Sequence, residues 1–380
     1  MAPKLPRNLV LGLVSGLAVA LVVEVTRPLG GRQPLLDWNE VRDLAGRRIE
    51  GRPIHAARLE LLAAQYNRLA DEVQGPLLEA VGGLPPGSDL PAFQALDRQG
   101  WLDLNIGILR QVLEPLIAAN MLERSRLTEA GKAGVQRYLG FILSFLSQRV
   151  LGQFDPQLSV AGPSPLGQVG RIPAAQALYL VEPNVAAWEE RAGLDPSDLR
   201  RWLILHELTH AWQFAAHPWL RDHLNKSLER LITLASGKDA SPVQRLFRVT
   251  LGAPEQWRLV RELQASMSLV EGYGNLVMDL VGKRVLPSYE RLEAAYRERS
   301  GTRSPLDALI WRVTGLELKM QQYRVGQAFA QNVYEVYGMA VLNRAWESPD
   351  TLPRASELRD PQRWYRRVVG EGPMPAAAPA

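Results

Sequence analysis

The sequence predicts a mainly α fold with a small β-sheet next to one helix, and three observations carry that expectation. Apolar residues recur at helical spacing over most of the chain. Start and stop signals bracket most of these stretches. One segment, Ala177-Leu178-Tyr179-Leu180-Val181 between Pro173 and Pro183, carries instead the short apolar run of a strand.

In chain order, the periodicity places helices at about Trp38–Arg48, Ile54–Gln74, Leu102–Asn120 and Thr128–Leu151, with the strand after them. Helices then follow at about Pro196–Ala215, Leu220–Leu234, Pro254–Val281, Pro287–Arg299 and Gly315–Trp346. Ser304-Pro305-Leu306-Asp307 marks the start of a further short helix. The strand lies just ahead of the Pro196–Ala215 helix. There it offers either an exposed edge on which an extended peptide can pair, or a buried strand in a small sheet.

No long linker interrupts the chain between about Leu36 and Val369, so residues 36–369 read as one helical domain. Residues 1–35 precede it. Within them Asn8 to Val23 carries no charge, after Lys4 and Arg7, and reads first as a membrane anchor of unspecified orientation. A helix docked on the protein, with a cytoplasmic location, and a cleaved signal are the alternatives. Residues 370–380 form a Pro/Ala-rich tail of disordered character.

Composition removes several chemistries. The chain has no cysteine, which excludes disulfides, thiolate zinc sites and cysteine nucleophiles. Its 44 Lys and Arg against 40 Asp and Glu leave a net charge of +4, mostly from scattered arginines. The basic run Arg359 to Arg367 includes Asp360 and reads as a solvated helix, so no nucleic-acid partner is expected. Phosphate-binding glycine loops, dinucleotide fingerprints and the GxSxG elbow do not occur.

The chemistry concentrates at His206-Glu207-Leu208-Thr209-His210, an HExxH on a helix. Asp195-Pro196-Ser197-Asp198 supplies an N-cap, a proline at the first position and an acidic first turn. Histidines four apart stand one turn above each other, so both imidazoles can reach one metal. Glu207 beside them can act as base toward water. The three-histidine extension of this motif needs a glycine and a histidine where this chain has Gln213 and Ala216, and His217 falls one residue late.

A third ligand is therefore sought on a later helix, and Glu271 is the best candidate. It sits in an apolar stretch with Met267, Leu269, Val270 and Val277, where a carboxylate needs a strong partner such as a metal or an arginine (Arg248 or Arg261). Gly272 and Gly274 flank it and permit close backbone approach. Asn275 or Asp279 is positioned to orient a ligand histidine, while Glu262 and His223 are reserve ligands. Tyr323, Tyr273 and His223 are candidate donors to an oxyanion.

These blocks resemble a known family. Leu151-Gly152-Gln153-Phe154-Asp155-Pro156, the stretch His206 to Phe214, Ser268 to Tyr273, Lys319 to Gly326 and Asp360 to Trp364 are similar to the zincin-like hydrolases, a family labelled zinc-dependent metalloprotease and sometimes associated with deazaflavin-coenzyme biosynthesis. The resemblance spans roughly Leu36 to Val369. It implies a helical zincin-like fold, one Zn2+ per chain at His206, His210 and Glu271, and Glu207 as base. The expected function is a zinc metallohydrolase acting on a peptide or protein substrate. A zinc hydrolase of a non-peptide amide or ester, and a non-catalytic zinc-binding protein with His217 or His223 as fourth ligand, are the alternatives.

Overall fold

A computed structural model describes residues 36–118, 129–156, 177–236, 254–301 and 316–370. The apolar N-terminal segment, the tail beyond residue 370, the expected helix start at Ser304 and Arg248 lie outside the described residues.

Helix α1 (Trp38–Gly46) begins at Asp37, whose carboxylate accepts from the backbone N–H groups of Asn39 at 2.9 Å and Glu40 at 3.3 Å. Helix α2 (Ala56–Val81) runs beyond the expected stop and passes through Pro76. Proline in a helix interior costs about 3 kcal/mol. Here the buried row Val73, Leu77 and Val81, one turn apart, packs into the core and offsets that cost. The left-handed Gly82 then ends the helix.

The chain continues through β1 (Phe93–Leu96), α3 (Arg98–Ala118), α4 (Glu129–Ser147), β2 (Gly152–Asp155), β3 (Ala177–Val181) and α5 (Glu182–Ala192). Next come α6 (Pro196–Ala216), α7 (Trp219–Ser236), α8 (Pro254–Val285), α9 (Tyr289–Gly301), α10 (Leu316–Asn343) and α11 (Pro361–Val368). Fold class and the position of β3 match expectation. Strands β1 and β2 and helix α5 were not expected. The strands are four residues each, too short to show alternation, and Pro183 reads as a strand boundary although it opens α5.

The sheet has the order β1-β3-β2, with β1 parallel and β2 antiparallel to β3. This overturns the exposed-edge reading of Ala177–Val181. Both edges of β3 are paired and all five residues are buried. Side chains alternate across the sheet. Phe93, Ala95, Phe154, Leu178 and Leu180 join the core built with α2, α6, α8 and α10. Val181 and Leu96 turn to a second cluster built with α1, α3 and α4.

The start of α6 is clamped by ion pairs. Arg200 donates to Glu182 at 2.6 Å and to Glu189 at 2.5 Å, both on α5, and Tyr66 of α2 donates to Glu182. The basic run folds largely as α11. Arg363 and Arg366 are exposed, while Arg367 donates twice to Glu357 at 2.7 Å. Among the described residues no helix is long and apolar enough to cross a membrane.

Helices α8 and α10 cross at glycines. A Cβ on Gly326 would stand 2.0 Å from the Ser268 carbonyl oxygen, and one on Gly272 would stand 2.2 Å from the Gly326 carbonyl carbon. Backbone cannot yield as a flexible side chain does, so any side chain here drives the helices apart. We expect Gly326→Ala to cost about 1–3 kcal/mol, read as a lower denaturant midpoint; an unchanged midpoint would show that the crossing is looser than this.

Candidate metal centre

Helix α6 follows its caps as expected. Asp195 accepts from the Asp198 N–H at 2.8 Å and Pro196 occupies the first turn. The helix is buried along nearly its whole length, between the sheet on one side and α2 and α8 on the other. That burial carries His206, Glu207 and His210 inside, at 6%, 8% and 5% exposure. Glu271 of α8, 3% exposed, meets them.

One donor atom from each of His206, His210 and Glu271 lies within 4.8 Å of the others, the arrangement expected from the sequence. His210 Nε2 is 3.2 Å from His206 Nε2 and 3.6 Å from Glu271 Oε2.

The His210 tautomer follows from its partner. The Val270 carbonyl can only accept, so the Gln213 amide nitrogen faces it, at 2.9 Å. That turns Gln213 Oε1 toward His210 Nδ1, at 2.9 Å, and Nδ1 must carry the proton. His206 Nδ1 lies 2.8 Å from the Met278 sulfur. The two Nε2 atoms face each other with the Glu271 carboxylate beside them. Two nitrogens bound at 2.0–2.1 Å to one tetrahedral ion stand about 3.3 Å apart, close to what is found. The donor set, two imidazoles and a carboxylate, suits zinc.

Several expected roles fall elsewhere. Asn275 donates to Gln327 at 3.4 Å, and Asp279 accepts from Tyr289 and so does not orient a ligand histidine. Gln213 and Met278 do that. Gln213 lies three residues after His210, a spacing that places them side by side on a helix. The glycine expectation divides: Gly274 faces His210, with 3.1 Å from its virtual Cβ to Cε1, whereas Gly272 serves the α10 crossing. Glu262 is exposed beside Arg258, and Arg261 donates to the Trp257 carbonyl. His223 lies on α7 beside Trp219, Glu262 and Asp350, where burial lowers its pKa. His217 stacks on Trp346, 5.9 Å between ring centres, and burial lowers its pKa to about 4. Neither histidine joins the cluster among the described residues. Tyr273 donates to Asn343 at 2.7 Å, which leaves it no part at an oxyanion, and the Tyr323 side chain lies outside the described residues.

Two further residues touch the site. Gly152 of β2 makes room for Glu207, since a Cβ there would stand 2.8 Å from its Oε1. Tyr296 of α9 is buried against Trp202, one turn before His206, at 4.9 Å between rings. Burial pushes its phenol well above the ordinary range, the Glu271 charge pushes it further, and Arg299 opposes both.

The three residues form a group that could hold a metal ion, and the comparisons give the chain a family. The sequence matches the zincin-like metallopeptidase family over residues 36–365, and the chain belongs to that family. It is also similar to a crystal structure from Chloroflexus aurantiacus described as "a putative hydrolase with a novel fold". The two are 33% identical, with a TM-score of 0.67, over 89% of this chain and 100% of the other. No curated protein matches the chain.

Proposed function

We propose that the protein is a zinc-dependent peptidase in which His206, His210 and Glu271 hold the metal and Glu207 is the base. The convergence of one donor atom from each of His206, His210 and Glu271 within 4.8 Å of one another, with the two Nε2 atoms 3.2 Å apart, carries this reading. Zinc, when bound, supplies the Lewis acidity that activates water near neutral pH and polarises a carbonyl. Among the described residues three protein donors gather and neither His217 nor His223 adds a fourth, the pattern of a hydrolytic rather than a structural site.

Glu207 takes a proton from the attacking water and delivers it to the leaving amine. Its carboxylate is held against the Gly152 backbone, which limits its rotamers. Gln213 keeps the His210 proton on Nδ1 and so keeps Nε2 available. We expect Gln213→Ala to weaken zinc affinity about 10–100-fold, measured by competition with a chromophoric chelator; wild-type affinity would remove Gln213 from this role.

The test of function is a peptide library incubated with the zinc-loaded protein and read by mass spectrometry. Cleavage that disappears with a chelator and with Glu207→Gln supports the peptidase. Hydrolysis confined to a panel of small amides and esters would move the activity to non-peptide substrates.

A further inference from the structure

His217 closes a ring of four aromatic side chains. Trp212 of α6 stacks on Tyr273 of α8 at 5.5 Å between ring centres, and His217 stacks on Trp346 at 5.9 Å. The two pairs meet edge to face, His217 on Trp212 at 5.3 Å and Tyr273 on Trp346 at 5.4 Å. Each ring therefore touches two others, at the separations that aromatic pairs favour.

The ring joins three parts of the fold. Trp212 and His217 lie at the end of α6, Tyr273 follows Glu271 by two residues on α8, and Trp346 ends the short turn Arg344–Trp346 beyond α10. Three members are anchored by hydrogen bonds as well. The Trp212 indole donates to the Gly83 carbonyl at 2.6 Å, the Tyr273 phenol donates to Asn343 at 2.7 Å, and the Trp346 carbonyl accepts from Trp219 at 2.9 Å. His217 differs. Its Nε2 is buried without a hydrogen-bond partner, and so is Nε1 of the Trp346 ring it stacks on.

A neutral imidazole suits this place and an imidazolium does not, because the charged ring would bury an N–H with nothing to accept it. Among the described residues the surrounding elements offer no compensating charge. Tyr273 gives its proton to Asn343, Arg344 and Glu347 pair with each other at 3.1 Å, and Asp350 and Glu262 act on His223 instead. On α7, Asp222 is exposed and Arg221 is itself a cation. Burial accordingly lowers the His217 pKa from 6.5 to about 4. The residue as a whole is only half-buried, so protons reach it from solvent.

We propose that His217 is an acid-sensitive latch: neutral, it holds the segment Asn343–Thr351 against α6 and α8, and protonation releases that segment. The folded pKa lies below the unfolded one, so the latch contributes fully above pH 6.5 and is lost as pH falls toward about 4. It does not rest on the hydrolase reading. Since α6 and α8 also carry His206, His210 and Glu271, the state of the latch bears on how firmly those residues are held.

Urea unfolding of chelator-treated protein tests this at about pH 7.5 and about pH 5, with wild type beside His217→Phe, which keeps a ring and cannot take a proton. His206 and His210 are present in both proteins, so their titration cancels in the comparison. Between the two pH values the folding equilibrium constant of wild type should fall about 30-fold further than that of the variant. Should His217→Phe not fold, His217→Gln gives the same comparison. Hydrogen exchange locates the change: protection in Asn343–Thr351 should drop at the lower pH in wild type and hold in the variant. Equal pH dependence of the two proteins overturns the latch, as does a loss of protection spread evenly over the chain.

Discussion

Glu271→Ala should purify with less than about a tenth of the zinc carried by wild type, which should hold one ion per chain. Two imidazoles alone form a weak site, because a protein zinc centre of this kind takes three side-chain ligands. Mass spectrometry of both proteins, prepared side by side at the same free zinc, measures it. A control separates lost metal from lost fold. Removing a buried carboxylate removes a desolvated charge, so the metal-free Ala variant should melt no lower than metal-free wild type. Added zinc should then raise the melting temperature of wild type and leave the variant unmoved, since a ligand stabilises only the state that binds it. Glu262→Ala, at an exposed position beside Arg258, should keep full zinc. Full zinc in Glu271→Ala would move the third ligand elsewhere.

That Glu271 stands out in the sequence has a physical cause. A carboxylate in an apolar helical stretch demands an explanation, and the helical period fixes His206 and His210 on one face whatever the tertiary structure. What the period cannot supply is the identity of the neighbour. Gly272 announces a close approach but not its partner, which is Gly326 of α10, 54 residues further on, rather than α6. Asp279 has the right spacing from Glu271 to assist a ligand, and its rotation about α8 takes it to Tyr289 instead.

Gln213 was visible as the residue that breaks the three-histidine pattern. Its role depends on the Val270 carbonyl, a tertiary contact, so the departure showed without its consequence. Gly152 is a similar case. The block around it resembles the family, yet only the packing of β2 on α6 reveals that a methyl group there would meet Glu207. Tyr296 left no trace, because an aromatic at helical spacing reads as core and its neighbours Glu271 and Arg299 come from separate parts of the fold.

Glu207→Gln tests the chemistry apart from the metal. The replacement is isosteric, so the fit against Gly152 and the burial of the side chain should survive, and zinc content and melting temperature should stay at wild-type values. An amide cannot take a proton from water or return one to an amine. Acid–base groups contribute about 10²–10⁴-fold, and since Glu207 serves both proton transfers, kcat should fall by about 10³-fold or more, with KM little changed. Gly152→Val offers an independent route to the same loss. Its side chain would displace the carboxylate rather than remove it, so its activity should fall while Glu207 is still present. If Glu207→Gln turns over at the wild-type rate with zinc bound, the base lies elsewhere, whatever the geometry of the three ligands.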